Sequence, residues 1–367
     1  MKRTTMLVCA GLTAAALTTS GAAVGASAQT AAGSAAGPVI GGFEGARGLD
    51  IGKSGMTVLA TADGKVHRVF RAGKRAGESR RIARVPASFV APAVAVADDN
   101  AVWILNVGAD APTRGMGTLF LKRPGHKKVA VRNIQRWVHN HRRGNDPFDI
   151  EDNKKESNPY GVAALPGGAA LVADAANNAV FRVTRAGRVS VVARLMPRTV
   201  ETPDYGNPEM PPPGTPMPAE SVPTSVAVGP DGSVYIGELR GFPATPGSSQ
   251  VWRVRPGATK AVCNPERPRR GACTRIADGL TSVVGLDAGR GGSVYVAEMS
   301  KVGWLAAESG DPNAGIGSVI RIGHDRNVRR ELAPGDVVLP GAVAVGPKGH
   351  VYVSGPIFGP GGMMRVG

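Results

Sequence analysis

Residues 224–238 read TSVAVGPDGSVYIGE. Val226 and Val228 alternate with small residues, Pro230-Asp231-Gly232 turns the chain, and Val234, Tyr235 and Ile236 carry it back. β-Branched and aromatic runs bounded by Gly, Pro and Asp spell strand, tight turn, strand. The chain rewrites this phrase. Aligned on the turn residue Gly232, further copies occur at 161–174 (turn Gly168), 283–298 (Gly292) and 341–355 (Gly349), with looser ones at 48–61 (Gly55) and 93–106 (Asn100). The position six after the turn is then Thr61, Asn106, Asp174, Glu238, Glu298 and Gly355, at spacings of 45 to 68 residues. Strand-rich units of this size are the mark of propeller blades.

The rest of each unit agrees. A third strand with basic and apolar residues follows, as in Val66–Phe70, Val180–Val183, Val251–Val254 and Val319–Ile322. A Gly turn and a more polar fourth strand come next, such as VSVVARL at 189–195. The fold class expected is therefore all-β: a six-bladed β-propeller of four-stranded antiparallel blades. Each blade buries its apolar faces on its neighbours. The sixth unit runs out of chain at 363–367, one strand short, while Val39-Ile40-Gly41-Gly42 is a spare strand at the other end. The N-terminal strand should therefore join the last blade and close the ring, which protects the edges.

Residues 1–28 read as a signal peptide: Lys2 and Arg3, an apolar stretch, then Ala26-Ser27-Ala28 before the cut. Residues 29–37 form a small-residue leader, and 38–367 the propeller. No other segment is long and apolar enough for a membrane helix. The expected product is a secreted or envelope-associated monomer. Its remaining cysteines, Cys263 and Cys273, flank NPERPRRGA between the third and fourth strands of the fourth unit, and an exported pair so spaced should form a disulfide. The formal charge is +16, or +14 once Lys2 and Arg3 are gone. The positives are dispersed, and an exported protein rarely meets nucleic acid, so nucleic acid is disfavoured. A basic surface that adheres to an anionic cell-envelope polymer or to lipid headgroups is the partner reading, beside plain solvation of the charges, which holds the larger share.

Tight turns occupy one face of the propeller and insertions the other. Long links at 137–160, 196–223, 237–249 and 299–317 all belong to the second face and should wall a rim over the central channel. The residues expected at the channel mouth are Asn158, Tyr160, Asp174, Thr224, Glu238, Thr281 and Glu298. A small molecule, a glycan or a surface protein would bind there. Asp174, Glu238 and Glu298 end second strands on adjacent blades. They could hold a hard divalent cation such as calcium; the plainer reading, which is favoured, has them accept backbone N–H bonds. No other cofactor is expected.

His139 and His141 lack further ligands for zinc and sit in a basic segment expected to be a mobile loop. No G-x-S-x-G, H-E-x-x-H or phosphate-binding Gly loop is present. The wording NPYGVAALPGG with ALVADAANNAVFRV, the block at 222–254 (VPTSVAVGPDGSVYIGELRGFPATPGSSQVWRV) and LPGAVAVGPKGHVYVS at 339–354 resemble the exported ScyD/ScyE-type propellers. The general pattern is also similar to NHL-like and TolB-like propellers. The resemblance spans essentially the mature chain and implies six blades and export, with no catalytic residues to carry over. Two functional classes remain: a binding or scaffold module, which is favoured, and a calcium-type lactonase-like hydrolase or lyase using the channel-mouth carboxylates.

Overall fold

The computed structural model describes residues 37–107, 115–206, 208–326 and 328–367. The expected signal peptide and all of the leader but Gly37 lie outside the described residues. Six sheets follow one another along the chain. Blade 1 runs Leu49–Ile51, Thr57–Ala60, Lys65–Val69 and Ser79–Arg84. Blade 2 runs Ala93–Val96, Val102–Leu105, Thr118–Lys122 and Val129–Asn133. Blade 3 has Pro159–Ala164, Ala170–Asp174, Ala179–Val183 and Val189–Leu195. Blade 4 has Ser221–Val228, Val234–Arg240, Ser249–Val254 and Cys273–Leu280. Blade 5 has Val283–Ala288, Val294–Glu298, Ser318–Ile322 and Arg329–Leu332. Blade 6 takes Ala342–Val345, Val351–Gly355 and Pro360–Arg365, and its outer strand is Gly37–Glu44 from the other end of the chain, antiparallel to Pro360–Arg365.

The turn residues identify themselves by backbone conformation. Gly55, Asn100, Gly168, Gly232, Gly292 and Gly349 all have positive φ, between 60 and 86°. This is the left-handed region that Gly enters freely and Asn tolerates. Every aligned copy is thus a hairpin pivoting on the same residue.

Among the described residues the six larger apolar clusters each fill one interface between neighbouring blades, and a small seventh of Val284, Met299 and Ile357 joins blades 5 and 6. Trp103, Leu105 and Leu119 of blade 2 meet Val172 and Phe181 of blade 3. Leu171 and Val180 meet Ile236 and Trp252 between blades 3 and 4. Alternate residues of one strand therefore serve two cores, as a pleated strand buried on both faces requires. Close packing at the axis forces small residues: a Cβ on Gly48 would lie 2.2 Å from the Pro92 carbonyl oxygen, and one on Gly161 would lie 2.5 Å from that of Thr224.

Three features depart from the repeat. The segment expected to be a mobile basic loop contains a helix, Ile134–Asn140, with Ile134, Trp137 and Val138 buried. Those residues have the i, i+3, i+4 spacing of one helical face, and Asn133 caps it by accepting from the Arg136 amide at 2.7 Å. In the link from blade 3 to blade 4, Arg198–Glu201 pairs with Pro216–Ala219 as a separate hairpin. Finally, Ala261–Cys263 leaves blade 4 and adds in parallel to the outer strand of blade 3. The expected Cys263–Cys273 disulfide is present, so it staples an extra edge strand on blade 3 to the outer strand of blade 4.

Candidate functional site

The three channel-mouth carboxylates stand where the repeat puts them: Asp174 and Glu298 end their second strands, and Glu238 lies two residues before the end of its own at Arg240. Both oxygens of Asp174 and of Glu298, and one of Glu238, are engaged by donors of the chain itself, while Glu238 Oε2 is buried without a hydrogen-bond partner. Asp174 accepts from the Asn158 amide at 2.7 Å, the Ser157 hydroxyl at 2.5 Å and the Asn177 amide at 3.2 Å. Glu298 accepts from the Thr281 amide at 2.6 Å and the Ser318 hydroxyl at 2.5 Å. Glu238 pairs with the Arg240 guanidinium, and both side chains are almost wholly buried. Burial pushes Asp174 up to about 7 against the pull of its three hydrogen bonds. Burial also raises Glu298 and Glu238, and the Arg240 charge opposes the shift at Glu238. Among the described residues no three His, Cys, Asp or Glu side chains come together in a way that could hold one metal ion. The three carboxylates therefore fasten the links into their own blades and do not converge on a shared point.

The remaining mouth residues bind neighbouring blades. The Thr224 hydroxyl donates to the Val283 carbonyl of blade 5 at 2.6 Å, and the Thr281 hydroxyl accepts from the Gly247 amide at 2.9 Å. Tyr160 lies under the guanidinium of Arg47, 3.9 Å from its ring centroid. Arg47 donates to the Ala91 and Tyr160 carbonyls at 2.9 and 2.8 Å, so it clasps blades 1, 2 and 3 beside the axis. The insertions do meet over one side of the rim. Tyr205 donates to the Pro243 carbonyl, Thr245 to the Glu201 carbonyl, and the Trp304 indole to the Arg240 carbonyl.

Two carboxylates missed from the sequence stand on innermost strands. Asp50 and Asp287 sit five before the turn on inner strands, where the other copies carry Ala95, Ala163, Ala227 and Ala344. Each is half-buried and caps the free inner edge of the next blade: Asp50 accepts from the Val96 amide at 2.5 Å, Asp287 from the Val345 amide at 2.7 Å. Desolvation pushes Asp50 up to about 6 and Asp287, which also feels the Asp50 charge, to about 7. The available signal was the phrase Gly-Leu-Asp, spelled twice in register at 48–50 and 285–287.

The opposite, tight-turn face carries the feature least legible in the sequence. A cleft of about 930 Å³ opens there among the turns of blades 6, 1 and 2. Seven cationic side chains line it: Lys53, Arg68, Arg71 and Arg80 of blade 1, Lys122 and Arg123 of blade 2, and Lys348 of blade 6. No carboxylate does. Its apolar parts include Met56, Phe70, Ile82 and Tyr352. Lys53 has an exposed ion pair with Asp98. None of the described ion pairs takes in Arg68, Arg80, Lys122, Arg123 or Lys348. Uncompensated like charges held around one concavity lower its potential for anions and raise their local concentration.

No family model matches the sequence, and no curated relative does. Solved structures match the fold. A glucose dehydrogenase superposes with TM-score 0.55 at 12% identity, covering 91% of this chain and 99% of the other. An aldose sugar dehydrogenase from Streptomyces coelicolor gives 0.52 at 13%, covering 89% and 95%. A gluconolactonase from Xanthomonas campestris gives 0.51 at 12%, covering 88% and 86%. The class is thus that of the six-bladed β-propellers, and at these identities the likeness extends to the fold alone. Among the described residues no helix is long and apolar enough to cross a membrane.

Proposed function

We propose that the chain is an exported binding module whose ligand is anionic and docks in the turn-face cleft between blades 6, 1 and 2. The observation that carries this reading is the lining of that cleft, seven cations without a carboxylate. The resemblance to ScyD/ScyE-type exported propellers supports export. The alternative, a calcium-dependent lactonase-like hydrolase, would need Asp174, Glu238 and Glu298 to turn their oxygens on one ion. Hydrogen bonds and an ion pair within their own blades engage them instead. An anionic cell-envelope component is the partner the reading favours.

Tripolyphosphate is a suitable probe for calorimetry on the full chain at low salt. Binding is expected, weakening steeply as salt is added, since released counterions drive it. The combined substitution Arg80→Ala, Arg123→Ala and Lys348→Ala should abolish it while leaving the melting temperature within a degree or two, because exposed charges contribute little stability. No binding by the unaltered chain, or equal binding by the variant, would remove the proposal.

A further inference from the structure

We infer that the cleft is the inner half of a radial groove that takes an unbranched phosphate polymer. The inference rests on the anionic reading above and specifies its ligand. A second cleft of about 510 Å³ adjoins the first and shares Ile82, Lys122 and Gly125 with it. It adds Arg84, His126, Lys127 and Lys128, again with no carboxylate. Positive charge therefore continues from the turns near the axis outward between blades 1 and 2.

The groove has a cause in the sequence. The outer strand of blade 1 reads SRRIAR, and its burial is the pattern of a strand that packs weakly. The core between blades 1 and 2 has nine buried residues, as many as the core between blades 5 and 6, so the outer strand and not the size of the core sets this interface apart. From the outer strand of blade 1 the first of these cores receives Ile82 and Ala83, both only partly buried. The core between blades 2 and 3 receives Val131, Val189 and Val191 from two outer strands. The outer strand of blade 1 thus brings little apolar surface to its interface with blade 2, and Arg80 and Arg84 of that strand line the two clefts there.

The shape and chemistry favour one class of occupant. Two joined basic clefts in a line suit a chain of repeating negative charges more than a compact anion. A polymer bound in the inner cleft presents its next units to the outer one at high effective concentration. A single-stranded nucleic acid would also draw on aromatic faces for its bases to stack on. The rings here are occupied by the protein's own cations: Phe70 lies under Arg75 at 3.9 Å and Arg68 at 5.0 Å. Tyr352 is under Arg71 at 4.8 Å, and Phe120 is under Lys128 at 4.9 Å. What remains is contact to phosphates without base recognition.

The test compares tripolyphosphate with long-chain polyphosphate on the full chain, and on the outer variant Arg84→Ala, Lys127→Ala, Lys128→Ala. The long chain should bind about tenfold or more tightly per phosphate. The outer variant should keep its affinity for tripolyphosphate and lose about tenfold for the long chain. Its salt dependence, as log K against log salt, should become shallower by roughly 2 for three lost phosphate contacts. Retained tripolyphosphate binding shows that the variant is folded. Equal affinity per phosphate at both lengths, or an outer variant that binds the long chain unchanged, overturns the polymer while leaving the anionic cleft standing. Tighter binding of an oligothymidylate of matched charge, lost in the outer variant, overturns it in favour of nucleic acid. Failure of the unaltered chain to bind tripolyphosphate removes the anionic reading itself.

Discussion

Glu238 and Arg240 show at single-residue scale how the rim is held. The pair is buried on blade 4, and Arg240 also donates to the Ser221 hydroxyl at 3.1 Å. Removing one partner leaves the other charge in a dry place without compensation, so Glu238→Ala should cost about 3–5 kcal/mol. Adding Arg240→Met to that variant should restore part of the loss in denaturant titration; no recovery would mean that the pair is not what the stability depends on. Carboxylates raised by burial also make stability depend on pH. Asp174, Asp287 and Glu220, which precedes the inner strand of blade 4 and accepts from the Ile150 amide and the Asn178 side chain, stand at about 7 in the folded chain, against 3.8 for free Asp and 4.5 for Glu, and for each the first cause is desolvation. Below about pH 4 both folded and unfolded chains hold these protons. Between there and about pH 7 the folded chain holds more, so raising the pH costs stability, and above that window the loss is complete. The melting temperature should fall from pH 4.5 to 8, and Asp287→Asn, which keeps an acceptor for the Val345 amide, should flatten the fall. A melting temperature that climbs through this range would contradict the buried, protonated state. Calcium offers a third check. An ion held at the rim would stabilise by about 2.7 kcal/mol at one hundred times its Kd. With Asp174 and Glu298 bonded through both oxygens and Glu238 paired with Arg240, titration with calcium should leave the melting temperature unchanged, and a shift of several degrees would revive the hydrolase reading.

At the scale of elements, the disulfide acts across a blade boundary. Cys263 lies on a strand added to blade 3 and Cys273 begins the outer strand of blade 4, ten residues later. Closing a loop of that size is worth about 2–3 kcal/mol through the unfolded chain. Cys263→Ser with Cys273→Ser should lower stability by that amount, and amide exchange should rise first at 261–263 and along the edge of Val189–Leu195. Uniform exchange throughout the molecule would argue against a local staple. The cysteine pairing was legible because, with residues 1–28 read as a signal peptide, Cys263 and Cys273 are the two cysteines left to pair. The strand exchange was not, since AVC is too short to announce which sheet it joins. The Ile134–Asn140 helix escaped for another reason: its apolar stripe has only three members, set among Arg and His residues that read as loop. The basic cleft escaped because no run of sequence contains it. Lys53, Lys122 and Lys348 come from three hairpins far apart in the chain and meet only when blades 6, 1 and 2 are placed side by side.

The ring as a whole was the most legible level, because the repeat states it six times over and the positive-φ residue recurs at every turn. The mouth carboxylates were legible in position but not in use: spacing put Asp174 and Glu298 at strand ends, and only their donors showed them to be fasteners. Closure is the property that no single blade can have. Gly37–Glu44 pairs with Pro360–Arg365, joining the start of the described chain to its end, while Val39, Ile40 and Phe43 pack on the core shared by blades 6 and 1. The Gly45 amide donates to the Gly359 carbonyl at 2.9 Å, and the Ser354 hydroxyl donates to the Arg47 carbonyl, so the seam continues inward from the outer strand to the axis. Deleting residues 37–44 would expose a row of unpaired backbone groups along Pro360–Arg365 and uncover part of that core. An open edge of this kind recruits strands from other chains. The shortened protein should melt several degrees lower and sediment as concentration-dependent oligomers. A synthetic peptide of residues 37–44 supplied in excess should return it to monomer, since it restores the same ladder. If the deletion stayed monomeric with an unchanged melting temperature, the blades would not need the seam, and the ring would be held by the six inter-blade cores alone.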